Sequence, residues 1–394
     1  MTDRTAGGAP ALGVAVVGYS FMGKAHSNAW RNVAAFFPDA PGVRQQVLVG
    51  RDPAALKTAA DRYGWADTAT DWRDVVTRAD VDVVDICTPG HLHAEIALAA
   101  LDAGKHVLLE KPLANTVAES EALVAAARAA AERGVVSMTG FNYRRVPALA
   151  LARRMITEGR IGTVRQVRAS YLQDWLVDEA APMTWRLRRE SAGSGVLGDL
   201  GSHLVDQLHH LLDEPVVSAS GHLRTFVPER TGDHGTEPVT VDDAAWATLE
   251  TASGVVASLE VSRMATSRKN ALQIEVYGTT GSLSFDLERL NELGVDDRGL
   301  DPDGGVRRVL VTEATHPYLD AWWPPGHTLG WDSTFTSQAA DFLAAVASGN
   351  QPSPSFADGL AVQRVLAAIE ESAGRSGARV DVPAPHPAAH QQED

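Results

Sequence analysis

Cysteine is almost missing from this 394-residue chain: Cys87 stands alone. It has no partner for an intrachain disulfide, which fits a reducing compartment. No apolar run reaches the roughly 18 residues a membrane-spanning helix needs. The N-terminus, with Asp3, Arg4 and a Gly/Ala/Pro stretch, does not read as a secretory signal. Basic charge is also short, with 35 Lys and Arg against 50 Asp and Glu, a net charge of −15. Long-range repulsion excludes duplex nucleic acid and an anionic membrane as natural partners. His91-x-His93 and His209-His210 lack the thiolates and spacing of a zinc site, so no metal is expected. The chain shows no internal repeat. A soluble, cytoplasmic protein is the expectation.

What is present is enough for more than one core, since single domains rarely grow past about 250–300 residues. In the first 145 residues, five apolar runs read as strands: Leu12 to Gly18, Gln46 to Gly50, Val81 to Cys87, Lys105 to Glu110 and Val135 to Gly140. They are continuous rather than alternating, as in strands buried on both faces. Ala-rich helical patterns separate them, at Pro53 to Tyr63, Leu92 to Ala103 and Thr116 to Arg133. The alternation predicts an α/β fold with a doubly wound parallel sheet over residues 11–145. Beyond Pro147 the strand candidates are Val164 to Tyr171, Ala244 to Thr251, Val255 to Val261, Leu272 to Tyr277 and Ser282 to Phe285. The later ones have glycine turns and no helices between them, which predicts a large, mainly antiparallel sheet with one open face within residues 146–382. Such a face suits a contact between subunits. Thr328 to Ser348 and Phe356 to Ser372 read as closing helices, Pro228 to Pro238 as an exposed loop, and residues 1–10 and 383–394 as disordered tails.

Several stretches carry chemistry. Gly18-Tyr-Ser20-Phe21-Met22-Gly23 follows the first strand and opens a helix, which suits backbone N–H groups cradling a pyrophosphate. Ser20 stands where the usual fingerprint has a second glycine. At the end of the second strand, Gly50-Arg51-Asp52 offers a guanidinium where an acidic residue would read the ribose 2′-OH, so the reading leans to NADP over NAD. The alternative is that Arg51 is solvated and Asp52 only caps a helix. Asp85-Ile-Cys87-Thr88-Pro89 ends the third run near the dinucleotide, with Cys87 as a small buried side chain rather than a nucleophile. Glu110-Lys111-Pro112 puts an ammonium where open α/β sheets bind ligands, able to stabilise an alkoxide. Finally, Leu200, Leu204, Leu208 and Leu211 mark a helix whose Asp199 and His203 share a face. A carboxylate beside an imidazole suits a general base. Asp199 could equally serve the helix start, and His203 the core edge. Tyr171-Leu-Gln173-Asp-Trp175 and Trp185-Arg186 mix flat rings with hydrogen-bonding groups, as a polyhydroxylated ring requires, although core packing accounts for most tryptophans.

In order and spacing these elements resemble the Gfo/Idh/MocA family of oxidoreductases. The similarity rests on Gly18–Gly23, Cys87-Thr-Pro-Gly-His-Leu-His93, Glu110-Lys-Pro112, Gly140-Phe-Asn-Tyr-Arg144 and Asp199-x-x-x-His203. Four further stretches, Tyr171 to Trp175, Ala192 to Asp199, His316 to Tyr318 and Pro354 to Asp358, resemble its levoglucosan dehydrogenase-like branch. The resemblance implies a Rossmann domain, an α/β domain with a large open sheet, a homodimer or homotetramer, and NAD(P)-dependent oxidation of a ring hydroxyl on a sugar or cyclitol. It implies Lys111, Asp199 and His203 as catalytic residues. Cofactor contacts are expected from Gly18, Ser20, Phe21, Met22, Gly23, Gly50, Arg51, Cys87, Thr88, Pro89, His91, His93, Glu110, Lys111 and Asn142. A substrate lining is expected from Lys111, Asn142, Tyr143, Arg144, Tyr171, Gln173, Trp175, Trp185, Asp199 and His203. Two competing functions remain: glycoside cleavage through transient oxidation at C3 with a recycled NAD, and a silent ligand sensor.

Overall fold

The computed structural model describes residues 11–233 and 235–383. The tails expected at 1–10 and 383–394 therefore lie, Pro383 apart, outside the described residues. Six parallel strands form the first sheet: β1 Leu12–Val17, β2 Val43–Val49, β3 Asp67–Ala69, β4 Val83–Ile86, β5 His106–Leu109 and β6 Ser137–Thr139. Their order, β3-β2-β1-β4-β5-β6, is that of a dinucleotide-binding doubly wound sheet. The intervening helices are α1 Phe21–Phe36, α2 Pro53–Tyr63, α3 Trp72–Val76, α4 His93–Asp102 and α5 Val117–Ala131. Local chemistry fixes their ends. Asp52 caps α2 by accepting from the N–H groups of Ala54 and Ala55, and Thr116 with Glu119 forms a reciprocal cap on α5.

After α6 Pro147–Thr157, the chain enters a nine-stranded sheet of order β16-β15-β14-β13-β7-β12-β11-β8-β17. Its strands are β7 Val164–Leu172, β8 Val216–Arg224, β11 Ala244–Thr251, β12 Val256–Ser262, β13 Ala271–Gly278, β14 Gly281–Asp286, β15 Glu292–Asp297, β16 Arg307–Leu310 and β17 Val380–Asp381. Among the described strands of this sheet, only the neighbours β7 and β12 run parallel. Buried and exposed residues alternate along β11 and β12, so one face packs and the other is open. Between β7 and β8 lie α7 Arg189–Ala192 and α8 Ser202–Leu212, the latter entered through a π turn over Leu197–Gly201. Leu200, Leu204, Leu208 and Leu211 are all buried against the sheet.

Pro228 to Pro238 is not a plain loop. It folds as a hairpin, β9 Glu229–Gly232 and β10 Gly235–Pro238, anchored by buried Arg230, which donates to the carbonyls of Leu176, Asp178 and Ala181. The last helices, α9 Ser333–Ser348 and α10 Phe356–Gly374, return to the parallel sheet. Phe335 and Phe342 share a cluster with Val14 and Trp30, and Phe356 and Leu360 share one with Ile86 and Leu123. This joins the two sheets into one body and brings the end of β5 against the π turn before α8.

Candidate active site

The turn from β1 to α1 is shaped for an anion. Gly18 has φ +109°, and a Cβ there would lie 2.7 Å from the Cys87 carbonyl oxygen; at Gly23 it would strike the Gly18 carbonyl oxygen at 1.9 Å. Ser20 at the head of α1 does not cap it, and no acidic residue occupies the first turn. The leading N–H groups of a 16-residue helix are thus left for a ligand. Beside this turn, the buried hydroxyl of Thr88 has no hydrogen-bond partner among the described residues. These features fit a dinucleotide pyrophosphate. At the end of β2, the ring of Tyr19 lies where a side chain on Gly50 would be. Arg51 is exposed, and Asp52 is committed to its cap.

Several other residues expected to contact the cofactor are engaged by groups of the protein itself. Both ring nitrogens of His93 are engaged by the Thr88 and Pro112 carbonyls at 3.0 and 2.9 Å, so the ring ties two strand-end loops together. His91 is exposed and meets the Ser191 carbonyl at 3.2 Å, bridging to the second domain. Glu110 is buried, with one carboxylate oxygen on His26 and the other accepting from the Lys111 N–H. Burial pushes the Cys87 thiol up to about 12, with the Asp85 carboxylate adding to the shift, which leaves it unreactive.

The Lys111 ammonium reaches across to the π turn before α8. It donates to the Asp199 carboxylate and to the Asp199 backbone carbonyl, each at 2.9 Å. Burial alone would raise the Asp199 carboxyl, but Lys111 holds it at about 2, and Arg186 and Arg263 add to that field. Burial likewise opposes the Lys111 charge, yet Asp199 and Glu110 raise its pKa above the ordinary lysine value. The expected Asp199–His203 pairing is therefore corrected: the carboxylate bonds lysine, and no described group hydrogen-bonds the His203 ring. Its Nδ1 is buried without a partner. Tyr143, Tyr171 and Phe141 enclose the ring at centroid distances of 4.5, 5.9 and 6.2 Å. Burial and the nearby Lys111 charge drive the imidazole well below its ordinary pKa, against the opposing pull of Asp199. His203 is neutral at pH 7 and can take a proton.

Tyr143 and Tyr171 share a hydrogen bond at 2.8 Å between their hydroxyls. Asn270 collects donors from Tyr171 and Gln173, each at 2.7 Å, and Trp331 donates to the Tyr143 hydroxyl. Asn142 spends its amide nitrogen on Thr334. Trp175 and Trp185 stack under Arg263 and Arg186 at 5.7 and 4.4 Å. Arg144 is not a pocket residue: its guanidinium is buried on Asp206, Ser353 and Asp358. Sequence reasoning missed His26, Asn270, Trp331 and Asp242, the last accepting from the N–H groups of Gly195 and Leu197 ahead of Asp199. Only His26 left a signal, a histidine one turn into the helix after the glycine turn.

A glycine-cradled helix start on a 3-2-1-4-5-6 parallel sheet, with Lys111 at a strand end of that sheet facing Asp199 and His203 from the second half of the chain, marks a dinucleotide-dependent oxidoreductase. Residues 12–141 match the oxidoreductase family with an NAD-binding Rossmann fold, and residues 149–284 match the GFO/IDH/MocA C-terminal domain. The chain belongs to the Gfo/Idh/MocA family. It is 40% identical to levoglucosan dehydrogenase of Pseudarthrobacter phenanthrenivorans over 388 residues, covering 94% of this chain and 98% of that one. An oxidoreductase domain protein from Kribbella flavida superposes with TM-score 0.92 at 53% identity, over 95% of this chain and all of the other. Levoglucosan dehydrogenase in complex with NADH and levoglucosan gives TM-score 0.90 at 42% identity, over 94% and 99%.

Proposed function

We propose that this protein is a dehydrogenase for a secondary ring hydroxyl of an anhydrosugar, sugar or cyclitol, with nicotinamide C4 of NAD(P) as the hydride partner. The observation that carries this reading is the neutral, unbonded His203 imidazole inside its aromatic enclosure, next to the Lys111–Asp199 ion pair. Bound along Gly18–Gly23, the dinucleotide supplies the hydride acceptor. His203 takes the hydroxyl proton. Lys111 donates to the same oxygen as its charge grows, and Asp199 holds the ammonium in place. Tyr171, Gln173 and Asn270 present hydrogen-bonding groups to further ring hydroxyls, and the sugar's C–H face packs on aromatic rings. The levoglucosan complex of a relative 42% identical supports an anhydrosugar.

Arg51, with no described partner and no carboxylate competing at Gly50, favours a 2′-phosphate and hence NADP, whereas the relative's complexes hold NADH. Binding of both dinucleotides to wild type and Arg51→Ala separates the two. Loss of NADP affinity alone in the variant supports the Arg51 role; a wild type that prefers NAD, with neither affinity changed, rejects it. Residues 11–145 serve as the dinucleotide domain and 146–382 as the substrate domain. The open face of the nine-stranded sheet, where Trp246 is 38% exposed, serves as the contact of a homodimer or homotetramer. The lone Cys87 supports a cytoplasmic setting. The function itself is tested by following absorbance at 340 nm with anhydrosugars, sugars and cyclitols under each cofactor. Net reduction supports a dehydrogenase; turnover of a glycoside without net reduction would instead mark the cleavage chemistry.

A further inference from the structure

One buried charged cluster takes no part in the chemistry described above. His26, in the first turns of α1, is 1% exposed. Its Nδ1 faces both oxygens of Asp85 at 2.9 and 2.8 Å, at the end of β4. Its Nε2 faces Glu110 Oε1 at 2.9 Å, at the end of β5. Carboxylates accept and do not donate when ionised, so each ring nitrogen must carry a proton to bond its neighbour. Burial opposes that charge, but the Asp85 carboxylate holds the His26 pKa well above its ordinary value. One turn further along α1, Trp30 donates to Asp85 at 2.7 Å, and the Phe335 ring from α9 lies 5.3 Å from the imidazole.

The cluster does not read as a metal site. His26, Asp85 and Cys87 lie close enough to ligate one ion, yet both histidine nitrogens and both Asp85 oxygens already have protein partners. Nor is stability a sufficient account, because replacing a buried ion pair or triad by apolar side chains of similar volume is often neutral or even stabilising. Its connections say more. The second Glu110 oxygen accepts from the Lys111 N–H at 3.1 Å, and the Lys111 ammonium is itself fixed on Asp199. On the other side, a Cβ at Gly140 would sit 3.1 Å from Glu110 Oε1, so the carboxylate is closely confined.

We propose that His26 is a positioning residue: as an imidazolium clamped between Asp85 and Glu110, it locks the Glu110 carboxylate against the Lys111 backbone and so aims the Lys111 ammonium at Asp199 and the substrate oxygen. The proposal rests on the catalytic reading of Lys111 given above. It also ties the helix that begins at the glycine turn to the strand end that carries the lysine, so cofactor cradle and alkoxide donor keep a fixed relation. Charge alone at this place would not do this; two donors at opposite ends of one rigid ring do.

The test uses the full-length enzyme with cofactor and the best sugar found by screening. Nitrogen-15 NMR should show both His26 ring nitrogens protonated at about pH 8, above the ordinary histidine range; a neutral tautomer there overturns the proposal. His26→Asn can bond only one of the two carboxylates. It should lower kcat by about 10- to 100-fold, the cost of a small misplacement of a catalytic group, with both KM values held. A lowered Tm with unchanged kcat would mean a purely structural role and would overturn it. Should His26→Asn fail to fold, Glu110→Gln keeps the shape of the side chain and weakens the clamp, and the same loss of kcat is expected; unchanged kcat in that variant also overturns it. Lys111→Ala separates the two claims. If it keeps wild-type kcat, the catalytic reading falls and this one with it. If it is impaired while His26→Asn is not, only the positioning role fails.

Discussion

The ammonium of Lys111 touches Asp199 twice, at the carboxylate and at the backbone carbonyl, each at 2.9 Å. Lys111 follows β5 of the parallel sheet and Asp199 lies 88 positions on, in the π turn before α8, so the pair joins the two halves of the candidate site. It leaves His203 unbonded and neutral, whereas a direct Asp199–His203 bond would favour imidazolium. Asp199→Asn should therefore disturb lysine more than histidine. We expect a loss of kcat in Asp199→Asn and Lys111→Ala alike, and a double variant little worse than either single one, because the pair acts as a unit. A kinetic double-mutant cycle measures this.

Burial of neutral histidines gives the fold a defined acid response. His209 is held at about 4, chiefly by burial and then by the Arg144 charge, and its Nε2 accepts a backbone N–H from Val216. Its folded pKa lies below the unfolded value, so the unfolded chain binds the extra proton. Stability must fall as pH drops from about 6.5 and stop falling, for this group, near 4. Over that window the single site is worth about 3 kcal/mol. His26 has the opposite sign: its contribution is full below the unfolded pKa and is lost as pH rises through its raised folded pKa. Tm measured against pH should slope down below 6.5, and His209→Gln should flatten that slope.

Much of the fold was readable because buried parallel strands announce themselves. β1, β4 and β5 are mostly Val, Ile and Leu, and α2 carries its own Asp, Pro and Gly signals. β8 and β15 were not found, since half of each faces outward and reads Ser, His, Glu and Asp. In the candidate site, Lys111, Asp199 and His203 were legible as candidates from motif spacing. Their pairing was not, because it depends on a side chain reaching in from another sheet. Asn270 and Asp242 lie in segments with no periodic signal, and their roles come only from what the strands bring beside them.

Arg144 illustrates the same limit with a measurable consequence. It sits in a stretch that promised substrate contacts, yet it donates to both Asp206 oxygens in the core, at distances from 2.5 to 3.1 Å. Removing one partner of a buried pair costs about 3–5 kcal/mol. Asp206→Ala should lose that much stability in denaturant titration while the sugar KM of the folded fraction stays unchanged. A raised KM at full stability would return Arg144 to the pocket.

The role proposed for His203, as the base that takes the hydroxyl proton, is tested most directly by kcat against pH for wild type and His203→Ala. Because burial and Lys111 lower the His203 pKa, wild-type kcat should stay level around neutrality and fall only well below pH 6.5 as the imidazole protonates. General base catalysis is worth about 10²–10⁴-fold. His203→Ala should lose that much kcat, bind dinucleotide as before, and show no acid limb. A variant with near-wild-type kcat and an unchanged pH profile would contradict the account and leave His203 as a packing residue beside Tyr143.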